Sequence, residues 1–197
     1  MELVLKSDWL YVLDNVLTPE ECKEIIDYSN PYMQESETVG KDIENYRTST
    51  NHFINRWVDK EFVKKINLVT EILTELPSEN QEDICVVKYN KGQEYKVHHD
   101  FLDHGLSEDQ DQETKNELKR GGDRVYTVMF YLNDDILEGG TLFTDPNIEI
   151  RPKTGRCVVW KNYLDGKPNY KSQHAGLPVK EGIKYIAVKW VRRNEFK

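Results

Sequence analysis

Within YNKGQEYKVHHDF, residues 89–101, two adjacent histidines precede an aspartate. In a strand, successive side chains point to opposite faces, so His98 and Asp100 share a face and His99 points away. At most one histidine can then act with Asp100. An isolated H-x-D is equally a surface ion pair, and it gains chemical meaning only with a further donor. Seventy-four residues after Asp100, SQHAGLPV supplies His174. Two imidazoles and a carboxylate on one face of a metal leave its other positions open, which suits non-haem Fe(II) and oxygen chemistry, although zinc accepts the same donors. Lys184, ten residues past His174 at the start of KYIAVKWVRR, separates the two readings. A lysine at the buried end of a strand can anchor the distal carboxylate of a dicarboxylate whose other end chelates the metal, as in 2-oxoglutarate binding.

The elements that must position these residues are legible from periodicity. LTPEECKEIIDYSN opens a helix, with Thr18 as cap, Pro19 in the first turn and Glu21 completing a capping box. A second helix is expected from about Asp59 to Leu73, with Phe62, Ile66, Val69 and Leu73 on its apolar face. The first 80 residues are therefore expected to be mainly helical support. From Ile84 the period falls to two, in ICVVKY, EYKVHHDF, RVYTVMFYL, TLF, IEI, RCVVW and KYIAVKWV, separated by turns such as NKG, NDD, EGG and DPN. That pattern predicts an antiparallel sandwich or barrel of about eight strands over residues 81–197. Residues 102–123 are strongly charged and lack a strand pattern, so a solvated loop is expected there, with a place beside the site's mouth as the alternative.

Composition narrows the partners. The 197 residues suit one domain, and 38% hydrophobic content can bury an ordinary core. With 35 acidic against 27 basic side chains the net charge is −8, which disfavours nucleic acid as a partner. No apolar run approaches a membrane span or a signal-peptide core, so a cytoplasmic protein without membrane attachment is expected. Cys22, Cys85 and Cys157 are too few and too scattered for a disulfide framework or thiolate zinc site and are expected as buried thiols.

Six segments in order carry a resemblance to a known family: RTST at 47–50, YNKGQEYKVHHDF at 89–101, RVYTVMFYLND at 124–134, EGGTLF at 138–143, RPKTGRCVVW at 151–160 and HAGLPVKEGIKYIAVKWVRR at 174–193. Together they resemble the prolyl 4-hydroxylases, Fe(II)- and 2-oxoglutarate-dependent dioxygenases, in the compact microbial, viral or algal form. The resemblance implies an α+β, mainly β fold: a double-stranded β-helix, or jelly roll, supported by N-terminal helices. It further implies His98, Asp100 and His174 as iron ligands and Lys184 as the 2-oxoglutarate anchor, with Tyr89 and Thr127 in the same cosubstrate pocket. Arg47 matches an arginine that binds peptide substrate. O2 as second cosubstrate, ascorbate as reductant and a proline-rich or collagen-like peptide as substrate are implied in the same way. Trp160 and Trp190 are expected as core aromatics. Gln173, before the HAG, and the long acidic connection depart from the family pattern. The rivals are the same chemistry on a lysyl residue, a small molecule or alkylated nucleic acid, and a jelly-roll binding module without catalysis. Lysine rather than arginine at 184, with the acidic charge, disfavours the nucleic-acid reading.

Overall fold

The computed structural model describes residues 1–36, 46–102 and 112–197. The chain begins with a hairpin of β1 (Glu2–Lys6) and β2 (Leu10–Asp14), followed by α1 (Pro19–Ser29), β3 (Gln34–Glu35), β4 (Thr50–Ile54) and α2 (Glu61–Thr74). The remainder is mostly strand: β5 (Ile84–Tyr89), β6 (Tyr95–His98), then α3 (Gln112–Lys119), β7 (Arg124–Tyr131), β8 (Leu137–Glu138), β9 (Thr141–Phe143) and β10 (Ile148–Ile150). After them come β11 (Cys157–Lys161), β12 (Tyr163–Leu164), β13 (Lys167–Pro168), β14 (His174–Gly176), β15 (Val179–Glu181) and β16 (Lys184–Arg192).

An eight-stranded sheet in the order β1-β2-β11-β7-β16-β5-β4-β3 faces a four-stranded sheet in the order β10-β9-β14-β6. This is the jelly roll, and its large sheet is buried on both sides. Alternation divides each long strand between two cores. On β5, Ile84 and Val86 join the helix-side cluster with Ile25 of α1 and Phe62 and Ile66 of α2. Cys85, Val87 and Tyr89 turn instead toward the small sheet, joining Phe143 of β9 and Trp160 of β11. All nine residues of β16 are buried, so it reads as a continuous apolar run interrupted by cations rather than as a simple alternation.

The helices start where local chemistry dictates. Thr18 Oγ1 accepts the Glu21 N–H at 3.2 Å, and a Glu21 carboxylate oxygen accepts the Thr18 N–H at 2.7 Å, the reciprocal capping box. Gly155, at φ +76°, lets the chain before α1 lie against the main sheet: a Cβ there would stand 2.1 Å from the Leu17 carbonyl oxygen. No alternative residue fits without moving α1.

The expectation of a mainly helical first 80 residues is corrected. Besides α1 and α2 this stretch contributes β1 to β4, all in the large sheet. The signal was in LYVLD, whose burial alternates Leu10, Val12 and Asp14 inward, but five residues are too short to stand out from a loop. Residues 112–119 of the charged connection form α3; the rest of that expectation, at 103–111, lies outside the described residues.

Candidate active site

The small sheet sets the first two ligands side by side. β14 and β6 pair so that His174 lies directly opposite His98, with Phe143 of β9 on the other flank of His174. β6 ends at His98, and the chain bends so that Asp100 faces the same centre. His98 Nε2 stands 3.7 Å from Asp100 Oδ1, and His174 Nε2 stands 3.9 Å from Asp100 Oδ2. One ligand atom from each of the three residues lies within 4.8 Å of the others, a spacing at which they could hold one metal ion.

The tautomers agree with that geometry. His98 Nδ1 is 2.7 Å from the Lys96 carbonyl oxygen and His174 Nδ1 is 2.8 Å from that of Ser172. A carbonyl oxygen only accepts, so each Nδ1 carries a proton and each Nε2 is the nitrogen turned to Asp100's side. Burial, with repulsion from His174, holds the His98 imidazolium pKa well below its ordinary value, so the ring is neutral and ready to ligate. Burial pushes Asp100 upward, but His174 and His98, then Arg124 and the Thr127 hydroxyl, outweigh it and keep the carboxyl below its usual range. A neutral His98 beside an ionised Asp100 suits a divalent cation.

The cleft holding the three donors runs between the sheets to Lys184. Register explains the lysine's company: Lys184 pairs with Tyr89 across β16 and β5. Its ammonium sits 5.0 Å from the Tyr89 ring centre and 5.6 Å from that of Tyr131. Lys184 is 1% exposed, and no carboxylate among the described residues pairs with it. Burial therefore drops its pKa to about 7. Such a cation is stabilised by an incoming anion. Tyr89 is also buried on this wall, and burial raises its phenol pKa against the opposing pull of Arg47.

The remaining expected residues fall into place differently. Thr127, expected along the cosubstrate pocket, directs its hydroxyl to Asp100 Oδ2 at 2.7 Å and accepts from Asn162 Nδ2 at 3.0 Å. Arg47 lines the cleft, but half-buried: its Nε donates to Ser49 Oγ at 3.0 Å and its guanidinium lies 5.0 Å over Tyr95. His99, just past the end of β6, lies away from the donor cluster and packs against Phe101 and Tyr170 with ring centres 4.6 and 5.5 Å away. Trp160 and Trp190 are core residues that also form cleft wall, Trp160 at 4.8 Å from the His174 ring.

Tyr95 is the residue that sequence parity misses. Three positions from His98, it belongs on the opposite face of a regular strand. Opposite β14, however, the four residues Tyr95 to His98 of β6 lie against only the three residues Gly176 to His174, from Tyr95↔Gly176 to His98↔His174. This bulge brings the Tyr95 ring onto His98, stacked at 3.5 Å.

A jelly roll carrying a His-Asp-His cluster opposite a buried lysine with no carboxylate partner among the described residues defines a metal-dependent oxygenase of the 2-oxoglutarate type. The chain belongs to the 2OG-Fe(II) oxygenase superfamily, whose family model matches residues 84–192. It is thus a 2-oxoglutarate-dependent dioxygenase, and its relatives are prolyl 4-hydroxylases. One from Acanthamoeba polyphaga mimivirus, named a putative prolyl 4-hydroxylase, is 33% identical over 190 residues, covering 94% of this chain and 75% of the relative. Prolyl 4-hydroxylase 1 of Arabidopsis thaliana is 33% identical over 213 residues, covering 98% and 71%. Among solved structures, the viral collagen prolyl hydroxylase of Paramecium Bursaria Chlorella virus-1, in its 2OG complex, superposes with a TM-score of 0.73 at 26% identity, covering 94% of this chain and 97% of that one.

Proposed function

We propose that this protein hydroxylates proline at C4 within an extended peptide, and that the facing of His98, Asp100 and His174 by Lys184 across one cleft carries that reading. In this assignment the two imidazoles and the carboxylate hold Fe(II). Bound there, iron supplies the oxidising chemistry, in which 2-oxoglutarate and O2 become succinate and CO2 while the second oxygen atom enters the substrate. Ascorbate is the reductant that keeps the metal ferrous.

The protein's own contribution is placement. Lys184 takes the distal carboxylate of 2-oxoglutarate, with Tyr89 beside it, and so fixes which end of the keto acid reaches the metal. Trp160, Trp190 and Phe143 keep the cleft dry, which strengthens each charge contact inside it. Arg47 and Tyr95 form the wall nearest His98 and are assigned to the peptide. A proline-rich or collagen-like segment fits this role because it already populates polyproline II and loses little entropy on binding an open groove.

The direct test incubates the protein with Fe(II), 2-oxoglutarate, ascorbate and either poly-proline or collagen-like peptides, followed by fragment mass spectrometry. One oxygen localised to proline, dependent on 2-oxoglutarate, is the expected result. Oxygen found only on lysine, or only on a free small molecule, would overturn the prolyl assignment and leave the oxygenase class intact.

A further inference from the structure

Asn162 was not singled out by any motif, yet it is fully buried at the end of β11 and stands two hydrogen bonds from the metal centre. Its backbone is pinned from both sides: its N–H donates to the Val125 carbonyl at 2.9 Å, and its carbonyl accepts the Asn169 N–H at 2.8 Å. Its Nδ2 lies 3.0 Å from Thr127 Oγ1, which in turn lies 2.7 Å from Asp100 Oδ2.

The direction of this chain follows from proton counting. An ionised carboxylate can only accept, so the single hydroxyl proton of Thr127 must point to Asp100. The Thr127 oxygen is then left with lone pairs, and only the amide NH2 of Asn162 can satisfy them. Flipping the amide would set two acceptors against each other. The order Asn162 to Thr127 to Asp100 is therefore fixed, with Oδ2 engaged by the hydroxyl and Oδ1 left toward His98 at 3.7 Å.

We propose that Asn162 and Thr127 are positioning residues that hold the Asp100 carboxylate so that it presents a single oxygen to the metal. The proposal rests on the iron-site reading above. A carboxylate free to rotate can chelate an ion with both oxygens and occupy a position that the cosubstrates need. A hydrogen bond on Oδ2 from a rigid donor prevents that rotation. Outer-shell partners of this kind act on affinity and ligand geometry without touching the metal.

The test uses Co(II) as probe, titrated into the metal-free protein and followed by its d–d absorption, whose intensity and position report coordination number. Thr127→Val, which keeps shape and removes the hydroxyl, is expected to bind Co(II) about tenfold more weakly, with an altered d–d spectrum. Thr127→Ser, which restores the donor, is expected to recover both. Asn162→Leu is expected to produce a smaller change of the same sign, and to add nothing in the Thr127→Val background because the amide acts through the hydroxyl. Thr127→Ala serves in the same comparison where valine is not accommodated. A folded Thr127→Val or Thr127→Ala protein with wild-type affinity and spectrum would overturn the proposal while leaving the iron site standing. Wild-type protein that fails to bind Co(II) would overturn both.

Discussion

At the scale of single residues, His98 and His99 are the same side chain one position apart, and only their surroundings give them different work. His98 has its Nδ1 proton committed to a backbone carbonyl and its Nε2 turned to Asp100, whereas His99 packs between Phe101 and Tyr170. His98→Ala, Asp100→Ala and His174→Ala are each expected to weaken metal binding by more than ~100-fold, beyond what an outer-shell change costs, with the fold retained. His99→Ala should keep most of the affinity and turnover. Equal loss in a folded His99→Ala protein, read by metal titration, would show that the wrong histidine has been assigned. Lys184 carries the second prediction at this scale. Removing it as Lys184→Ala deletes a charge-assisted contact of about 1.5–3 kcal/mol, so the 2-oxoglutarate dissociation constant should rise roughly 10- to 150-fold while Fe(II) affinity is nearly unchanged. Lys184→Arg should rescue poorly, since the guanidinium is planar and longer. Because the free ammonium titrates near 7, wild-type 2-oxoglutarate affinity should also fall as pH rises above about 7, by up to about tenfold per pH unit as binding takes up a proton. A flat profile between pH 7 and 9 would place the anchor elsewhere.

Elements bring these residues together, and one ion network fastens three of them behind the cleft. Glu82, just before β5, is buried and receives Arg124 of β7 through two hydrogen bonds at 2.6 and 2.9 Å, along with Nε of Arg192 at the end of β16. Arg192 continues to α3, donating to the Glu117 carboxylate at 2.9 Å, and Arg124 lies 3.9 Å over the ring of Trp190 on the cleft wall. Glu82→Gln leaves two guanidinium groups buried against a neutral side chain. It is expected to cost about 3–5 kcal/mol, the usual penalty for breaking a buried pair from one side, and to lower Tm by roughly 10 °C in a chain of this size. A loss below about 1 kcal/mol in urea titration would mean that water compensates the arginines. None of this network was legible in the sequence, because its members are scattered from 82 to 192 and charges in a sequence look solvated until a fold buries them. Local signals fared better: the Thr18–Glu21 box and the apolar face of α2 lie where periodicity places them. Parity set His98 and Asp100 on a common face, yet β6 ends at His98 and Asp100 reaches the cluster through a bend; for Tyr95 it failed, since a bulge is a property of two strands and not of one. Thr127 was legible as a site residue, while its partner Asn162, in a KNYLD turn of ordinary composition, was not. The short strands β1 to β4 escaped notice for a related reason, as they are defined by pairing to neighbours far along the chain.

For the molecule as a whole, the large sheet buries two lysines that form no ion pair among the described residues, and this sets an unusual dependence of stability on pH. Lys184 faces the cleft and Lys189 faces the helices, and burial brings each to a pKa of about 7. In the unfolded chain both return to about 10.4, so between pH 7 and about 9 the unfolded state binds more protons than the folded one. Stability of the metal-free protein must then rise with pH across that window, by on the order of 1 kcal/mol per pH unit for each lysine. Above about pH 9 the sign reverses. Burial raises Cys22 and Cys85 to about 11, and Cys157 also upward, so unfolded thiols ionise before folded ones and favour the unfolded chain. The growing negative charge of the whole molecule, already −8, acts in the same destabilising direction but is screened at about 0.15 M salt. Urea unfolding at pH 6, 7, 8 and 9 should therefore show a maximum near pH 9 rather than near neutrality. Lys184→Met removes one of the two titrating groups and should cut the slope between pH 7 and 9 by at least half, since the thiols already oppose it there, while raising stability at pH 7. Saturating Fe(II) with 2-oxoglutarate should remove the same share of the slope by the opposite route, holding Lys184 charged. Stability that is level or falls from pH 7 to 9 in the metal-free protein would show that the two ammonium groups stay protonated inside the fold.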